Sequence, residues 1–232
     1  LSIAAVNSAT SVTISGDEEA LKQVVDIINN NSKLAKASKV YLRTSAAFHS
    51  VHMDPIKDEL LSSIKITPQR TTIPLFSTVT GDLISGLAID AEYWWKNVRQ
   101  AVLFEQAITS ILSRYDNVTP LKYWIEISPH PVLAAPLKSI VNPVRSDAQI
   151  LSTFIRKEDE NITIRNTLGG LYVHGYENVS WNKVFTEGSL ISLPLYPFQK
   201  QRFWLESLES LEERTSAPSK YHPLLGSRKL PV

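Results

Sequence analysis

The chain has 232 residues, 43% of them hydrophobic and 20% charged, and a formal net charge of +1, the make-up of a folded chain with a sizeable core. That balance gives no electrostatic reason to bind nucleic acid or an anionic membrane, and no run approaches the roughly 18 apolar residues of a spanning helix. With no cysteine, disulfides, thiolate catalysis and cysteine-ligated metals are excluded, which fits a cytoplasmic protein, and the apolar start lacks the basic leader of a signal peptide.

Residues 1–7 and 11–15 read as two short strands separated by Ser8-Ala9-Thr10. Gly16 and Asp17 end the second and offer an N-cap. From Glu18 to about Ile28, Leu21, Val24, Val25 and Ile28 recur at helical spacing, and the asparagine run at 29–31 stops the pattern. Val40-Tyr41-Leu42 reads as a further strand, so strand, strand, helix, strand forms the latter part of a ferredoxin-like unit. Residues 51–64 read as a helix with Ile56, Leu60, Leu61 and Ile64 on one side. Ile73–Phe76 is a short strand, and Asp90 caps a helix carrying Tyr93, Trp94 and Trp95. Helical period covers Phe104 to Leu112, Tyr123–Ile127 is a strand of buried type, and another helix lies near Ala134–Val141. Ile150–Phe154 is strand-like, and residues 162–174 form a helix with Leu168, Leu171 and Tyr172 on one face. This alternation of strands and helices predicts an α/β layer structure.

Four segments carry the chemistry: Ser45-Ala46-Ala47-Phe48-His49-Ser50, Phe76-Ser77-Thr78-Val79-Thr80-Gly81, Tyr93-Trp94-Trp95-Lys96-Asn97-Val98-Arg99, and Ile125-Glu126-Ile127-Ser128-Pro129-His130-Pro131. In this order they resemble the acyltransferase domains of type I polyketide synthases and of their relatives, the animal-type fatty acid synthases. Ala5-Val6-Asn7 and Ser15-Gly16-Asp17 match the small subdomain of that family. The resemblance implies the C-terminal part of an α/β-hydrolase-like acyltransferase domain with a partial ferredoxin-like subdomain, followed by a linker. Its parts would be a partial ferredoxin-like subdomain over 1–48, the C-terminal part of the large subdomain over 49–141, a post-acyltransferase linker over 142–204, a flexible linker over 205–220 and the start of a dehydratase domain over 221–232.

By this resemblance His49 is the general base of a serine–histidine dyad, a role suited to a group that titrates near neutral pH. The backbone carbonyl of Asn97 would orient it. Ala47, Phe48 and His130 would line the acyl site, with Phe48 favouring malonyl over methylmalonyl because its ring fills the space of an α-methyl group. Phe48 as core packing and His130 as a loop-fixing residue are the other readings of those positions. Arg99 reads as structural. His49 and His52 stand three apart at a strand-to-helix transition without a carboxylate at a metal-site spacing, so no metal is expected. No glycine is followed two residues later by serine, so the Gly-x-Ser-x-Gly elbow of such enzymes is absent. The chain also begins without methionine. The resemblance therefore implies a piece of a larger polypeptide whose nucleophile precedes Leu1, with no activity on its own.

Leu193-Pro194-Leu195-Tyr196-Pro197-Phe198-Gln199-Lys200-Gln201-Arg202-Phe203-Trp204 resembles the aromatic strap that closes the post-acyltransferase linker. Its prolines fix extended geometry, and its rings supply apolar contact. Lys200 and Arg202 are solvated linker charges or contacts to a carrier. Leu205–Arg214 is acidic, residues 215–219 read as a linker, and His222–Gly226 resembles the opening of a dehydratase. The implied substrate is malonyl-coenzyme A, and no cofactor is expected on this segment. The implied partners are an acyl carrier protein bearing phosphopantetheine and the ketosynthase and dehydratase domains of the same chain, within a homodimeric synthase. Two other readings stay open here: the same segment of a fatty acid synthase, and a non-catalytic docking scaffold.

Overall fold

The computed structural model describes residues 1–34, 36–42, 44–115, 118–185, 188–189, 191–201, 203–215, 221–222 and 226–227. Strands β1 (Ser2–Ser8) and β2 (Ser11–Ser15) form an antiparallel hairpin. Helix α1 (Glu18–Asn30) starts where the Asp17 carboxylate accepts the Ala20 N–H at 3.1 Å, satisfying one of the donors that a helix start leaves open. Its apolar face is only half-buried, and no residue of α1 is fully buried. The other edge of β1 meets Val102: Val6 N–H donates to its carbonyl at 2.9 Å, and its N–H donates to the carbonyl of Ala4 at 2.8 Å.

The core forms between α4 (Phe104–Tyr115) and α5 (Ala134–Val141). Phe104, Ile108 and Leu112 recur every four residues on α4 and meet Leu137 and Val141 of α5, with Trp124 and Ile150 against the cluster. Each such side chain contributes about 1.5–3 kcal/mol when fully buried. Around this pair lie α2 (Lys57–Ser63), the β3 (Leu75–Ser77) and β4 (Asp82–Ile84) hairpin, and α3 (Ala91–Arg99). Strands β5 (Tyr123–Glu126) and β6 (Gln149–Ser152) pair in parallel, with α5 in the crossover between them. Helix α6 (Glu160–Val173) is tied to β6 through the Thr167 hydroxyl, which donates to the Ser152 carbonyl at 2.7 Å. The result is the mixed α/β fold that the alternation predicts.

Three expectations need correction. Val40, Tyr41 and Leu42 form no strand; all three are exposed, because a strand needs a neighbouring edge and none reaches them among the described residues. The helix expected over 51–64 opens instead as a 3₁₀ turn, Val51–Ile56, since Pro55 removes a donor and restrains Asp54 before it. On α6, Leu171 is buried while Tyr172 is exposed, so the two do not share a buried face. Strand β6 completes a sheet with β5, and the compact unit runs Leu1–Ser180.

Residues 181–232 form a second unit with helices α7 (Trp181–Val184) and α8 (Leu208–Thr215) and a small pairing of β7 (Tyr221–His222) with β8 (Gly226–Ser227). Among its described residues the strap has no regular structure, and Tyr196, Phe198, Phe203 and Trp204 are exposed; the rings of Tyr196 and Phe198 pack edge to face, 4.7 Å apart. Lys200 is exposed, while Arg202, residues 216–219 of the expected linker and most of the expected dehydratase start lie outside the described residues. Among the described residues no helix is long and apolar enough to cross a membrane.

Candidate functional site

Residues 45–50 form a turn that leads into the 3₁₀ turn. His49 takes a left-handed backbone conformation, φ 62°, uncommon for any residue with a side chain and tolerated by histidine more than by branched ones. Two groups from the C-terminal end of α3 hold it. The His49 N–H donates to the Val98 carbonyl at 2.9 Å, and its Nδ1 lies 2.7 Å from the carbonyl oxygen of Gln100. A carbonyl only accepts, so the neutral ring carries its proton on Nδ1, and Nε2 keeps its lone pair. This is the tautomer that a base acting through Nε2 requires.

The orienting carbonyl thus belongs to Gln100 rather than Asn97. Asn97 lies inside α3, where carbonyls point along the helix axis; Gln100 is the first extended residue beyond it, at φ −91° and ψ 163°. Sequence reasoning also missed Ser50. It is fully buried, its hydroxyl donates to the Ala47 carbonyl at 2.6 Å and accepts the His52 N–H at 3.2 Å, and so it clips the turn on both sides of His49. The signal was present, because serine just before a turn of helix is a preferred N-cap. Arg99 reaches back from α3 to Asp54 at 2.5 Å and ties the 3₁₀ turn to the helix, the structural role expected of it. Phe48 is 49% exposed beside His49 and does not pack in the core; Ala47 is half-buried, and His52 is exposed.

His130 sits in a second cluster. Its Nδ1 accepts the Arg156 N–H at 3.3 Å, and its carbonyl accepts the Ser128 hydroxyl at 2.9 Å. Beneath it, Glu126 Oε1 accepts the N–H groups of Val132 (2.8 Å) and Leu133 (3.0 Å) and the Ser128 hydroxyl (3.1 Å), while the buried Oε2 has no partner among the described residues. Burial would raise this carboxyl's pKa, yet the Leu133 and Val132 N–H groups, the Ser128 hydroxyl and the Ala134 N–H outweigh it and hold the group below its ordinary value. His130 and His49 share no hydrogen-bond partner.

A cleft of about 650 Å³ opens elsewhere, lined by Val6, Gly81, Asp82, Gln106, Ser110 and Arg114 among others, and neither histidine borders it. Asp82 there is held to a pKa of about 2, chiefly by the Ser110 hydroxyl, then the Leu83 N–H and Arg114. These contacts fasten β4 to α4. No group of three histidine, aspartate or glutamate side chains able to hold a metal lies together among the described residues.

The model of the acyl transferase domain family matches residues 1–177. Polyketide synthase GfsE of Streptomyces halstedii is 36% identical over 209 residues, covering 89% of this chain and 5% of that protein. Erythronolide synthase EryA3 of Saccharopolyspora erythraea is 35% identical over 206 residues, covering 88% and 6%. The crystal structure of the acyltransferase domain from module 8 of the salinomycin polyketide synthase superposes with a TM-score of 0.69 at 29% identity, covering 78% of this chain and 41% of that one. The chain therefore spans a small fraction of the curated relatives it matches and under half of that solved domain.

Proposed function

This chain belongs to the acyl transferase domain family of type I polyketide synthases and related fatty acid synthases, and from that premise we propose that it supplies the histidine half of a transferase moving a malonyl-type unit from coenzyme A to a carrier thiol. The nucleophilic serine lies outside these 232 residues. His49 Nε2 takes the proton of that serine as its oxygen attacks the thioester carbonyl. The imidazolium returns the proton to the departing coenzyme A sulfur, leaving an acyl-serine. In the second half the phosphopantetheine thiol of the carrier gives its proton to His49 and attacks the ester, and the serine oxygen leaves with that proton.

The observation that carries this reading is the hydrogen bond from His49 Nδ1 to the Gln100 carbonyl, which leaves Nε2 as the acceptor. Phe48, with Ala47, stands where it meets the acyl group next to His49, and its ring favours malonyl over the bulkier methylmalonyl. His130 fixes the loop after β5 and lines the same acyl site. The carrier and the neighbouring ketosynthase and dehydratase domains are the partners.

The test is His49→Ala in the full-length polypeptide, followed with labelled malonyl-coenzyme A. Loading is expected to fall by at least about a hundredfold, since a general base contributes roughly 10²–10⁴, with circular dichroism unchanged. A fall of less than about threefold would remove His49 from the dyad.

A further inference from the structure

Strands β5 and β6 run parallel, so the loops that follow them, 127–133 and 153–159, leave from the same end of the sheet. In open α/β sheets ligands bind outside that carboxyl end. The two loops are stitched together there. The buried Thr153 hydroxyl accepts the Ser128 N–H at 3.4 Å, the Thr153 N–H donates to the Glu126 carbonyl at 3.0 Å, and the Arg156 N–H reaches His130 Nδ1 at 3.3 Å. An Nδ1 that accepts leaves the proton of the neutral ring on Nε2. His130 thus stands in the tautomer opposite to that of His49: it donates through Nε2 and takes no proton there.

Glu126, the last residue of β5, organises this loop. It is 8% exposed, and three donors converge on its Oε1. Two of them, the N–H groups of Val132 and Leu133, lie at the start of α5, whose N-cap residue makes no side-chain capping bond; a carboxylate seven residues back does the capping instead. The third is the Ser128 hydroxyl, which lies 3.1 Å from Oε1 and 2.9 Å from the His130 carbonyl and so links the carboxylate to the histidine. Oε2 is buried without a partner among the described residues, an arrangement that costs stability. A short capping side chain at position 133 would serve α5 without that cost. It would not hold the loop to the strand. The burial of Glu126 is made by this chain's own atoms, so it persists in the full-length polypeptide.

We infer that Glu126 is a positioning residue for acyl binding: its carboxylate presets the loop 127–133 and with it the His130 Nε2–H, which donates to an oxygen of the acyl group. This rests on the acyl-transfer reading, in which His130 lines the acyl site. Glu126 itself touches no substrate and acts through His130.

Saturation kinetics of malonyl loading by the full-length polypeptide test it. Glu126→Ala is expected to raise KM for malonyl-coenzyme A about tenfold and to leave kcat within about twofold, the pattern of a lost binding contact. Glu126→Gln keeps an oxygen for the same three donors and should stay within about threefold of the wild-type KM. His130→Ala should raise KM by about the same factor as Glu126→Ala, and the double variant by no more than His130→Ala alone, because the two act as one unit. Effects that multiply in the double variant, a loss of kcat at unchanged KM, or an unchanged KM in either single variant overturn the assignment. If Glu126→Ala does not fold, Ser128→Ala decides the same question, since the carboxylate keeps its two N–H donors. Its KM should rise about threefold, and the rise should vanish on the His130→Ala background. A rise that persists there overturns the assignment too. A wild type that loads no malonyl would overturn the acyl-transfer reading itself, and the role of Glu126 with it.

Discussion

Between α4 and α5, five side chains (Phe104, Ile108, Leu112, Leu137 and Val141) shut out water, whereas from Ala47 to Asp54 the chain is kept in place by backbone carbonyls, one buried hydroxyl and one ion pair. The first region is held by area, which is additive and indifferent to direction. The second is held by a few directional bonds, which fix where an atom points and add little to stability. The α4–α5 region therefore sets whether the chain stays folded, and the histidine turn sets what Nε2 can reach. Variants in the two regions should part stability from activity, and they rank as follows.

Leu112→Ala should have the largest effect, lowering stability by about 2–5 kcal/mol through lost burial and the cavity left behind, as read from urea unfolding. In the full-length polypeptide, in which all loading is measured, molecules that remain folded should load malonyl at the wild-type rate; a specific loss of loading would mean the core also shapes the site. Phe48→Ser should leave stability alone, since the ring is half exposed, and should narrow the preference for malonyl over methylmalonyl by about 1–3 kcal/mol. Competition between the two thioesters measures this, and an unchanged ratio removes Phe48 from selectivity. Ser50→Ala should cost about 0.5–2 kcal/mol as a lost cap and slow loading about tenfold, because small displacements of a base are expensive in rate. Loading within twofold of wild type would show that this clip does not position His49.

The smallest effect is electrostatic and belongs to the core side. Asp82 on β4 titrates at about 2 against an ordinary 3.8, and Glu126 also sits below its ordinary 4.5. A depressed carboxyl contributes stability that is present above its unfolded value and is lost as pH falls through the folded one. Melting temperature should therefore decline below about pH 4.5, and Asp82→Asn should flatten the decline between pH 3.8 and about 2. Parallel curves for variant and wild type would show that the contacts of Asp82 with Ser110, Leu83 and Arg114 add nothing.

The same contrast explains what was legible in the sequence. The faces of α4 and α5 repeat with the helical period, so Phe104, Ile108 and Leu112 could be read directly. His49 was legible through its flanking motif. Its partner was not, because a backbone carbonyl is common to every residue, and Gln100 lies 51 positions away. The support of Glu126 under the His130 loop was missed for the same reason: it bonds to backbone N–H groups that carry no sequence signature. Val40–Leu42 misled in the opposite direction. Branched and aromatic residues suit a strand, but a strand exists only where another edge is present. The α1 face shows the limit of periodicity, which placed the helix correctly and left its apolar residues only half-buried.

The pairing of β1 with Val102 joins residues 97 positions apart, counting from Ala5. On a ribosome adding roughly 5–20 residues per second, the β1–β2 hairpin is made about 4–17 s before Val102 exists. Through that interval the outer edge of β1, which carries the exposed Ile3, presents unpaired N–H and carbonyl groups to solvent. A long wait with an open edge invites capture by other nascent chains. The protein's yield in a cell is thus set in part by translation speed between residues 15 and 102 and by whatever chaperone covers the hairpin meanwhile.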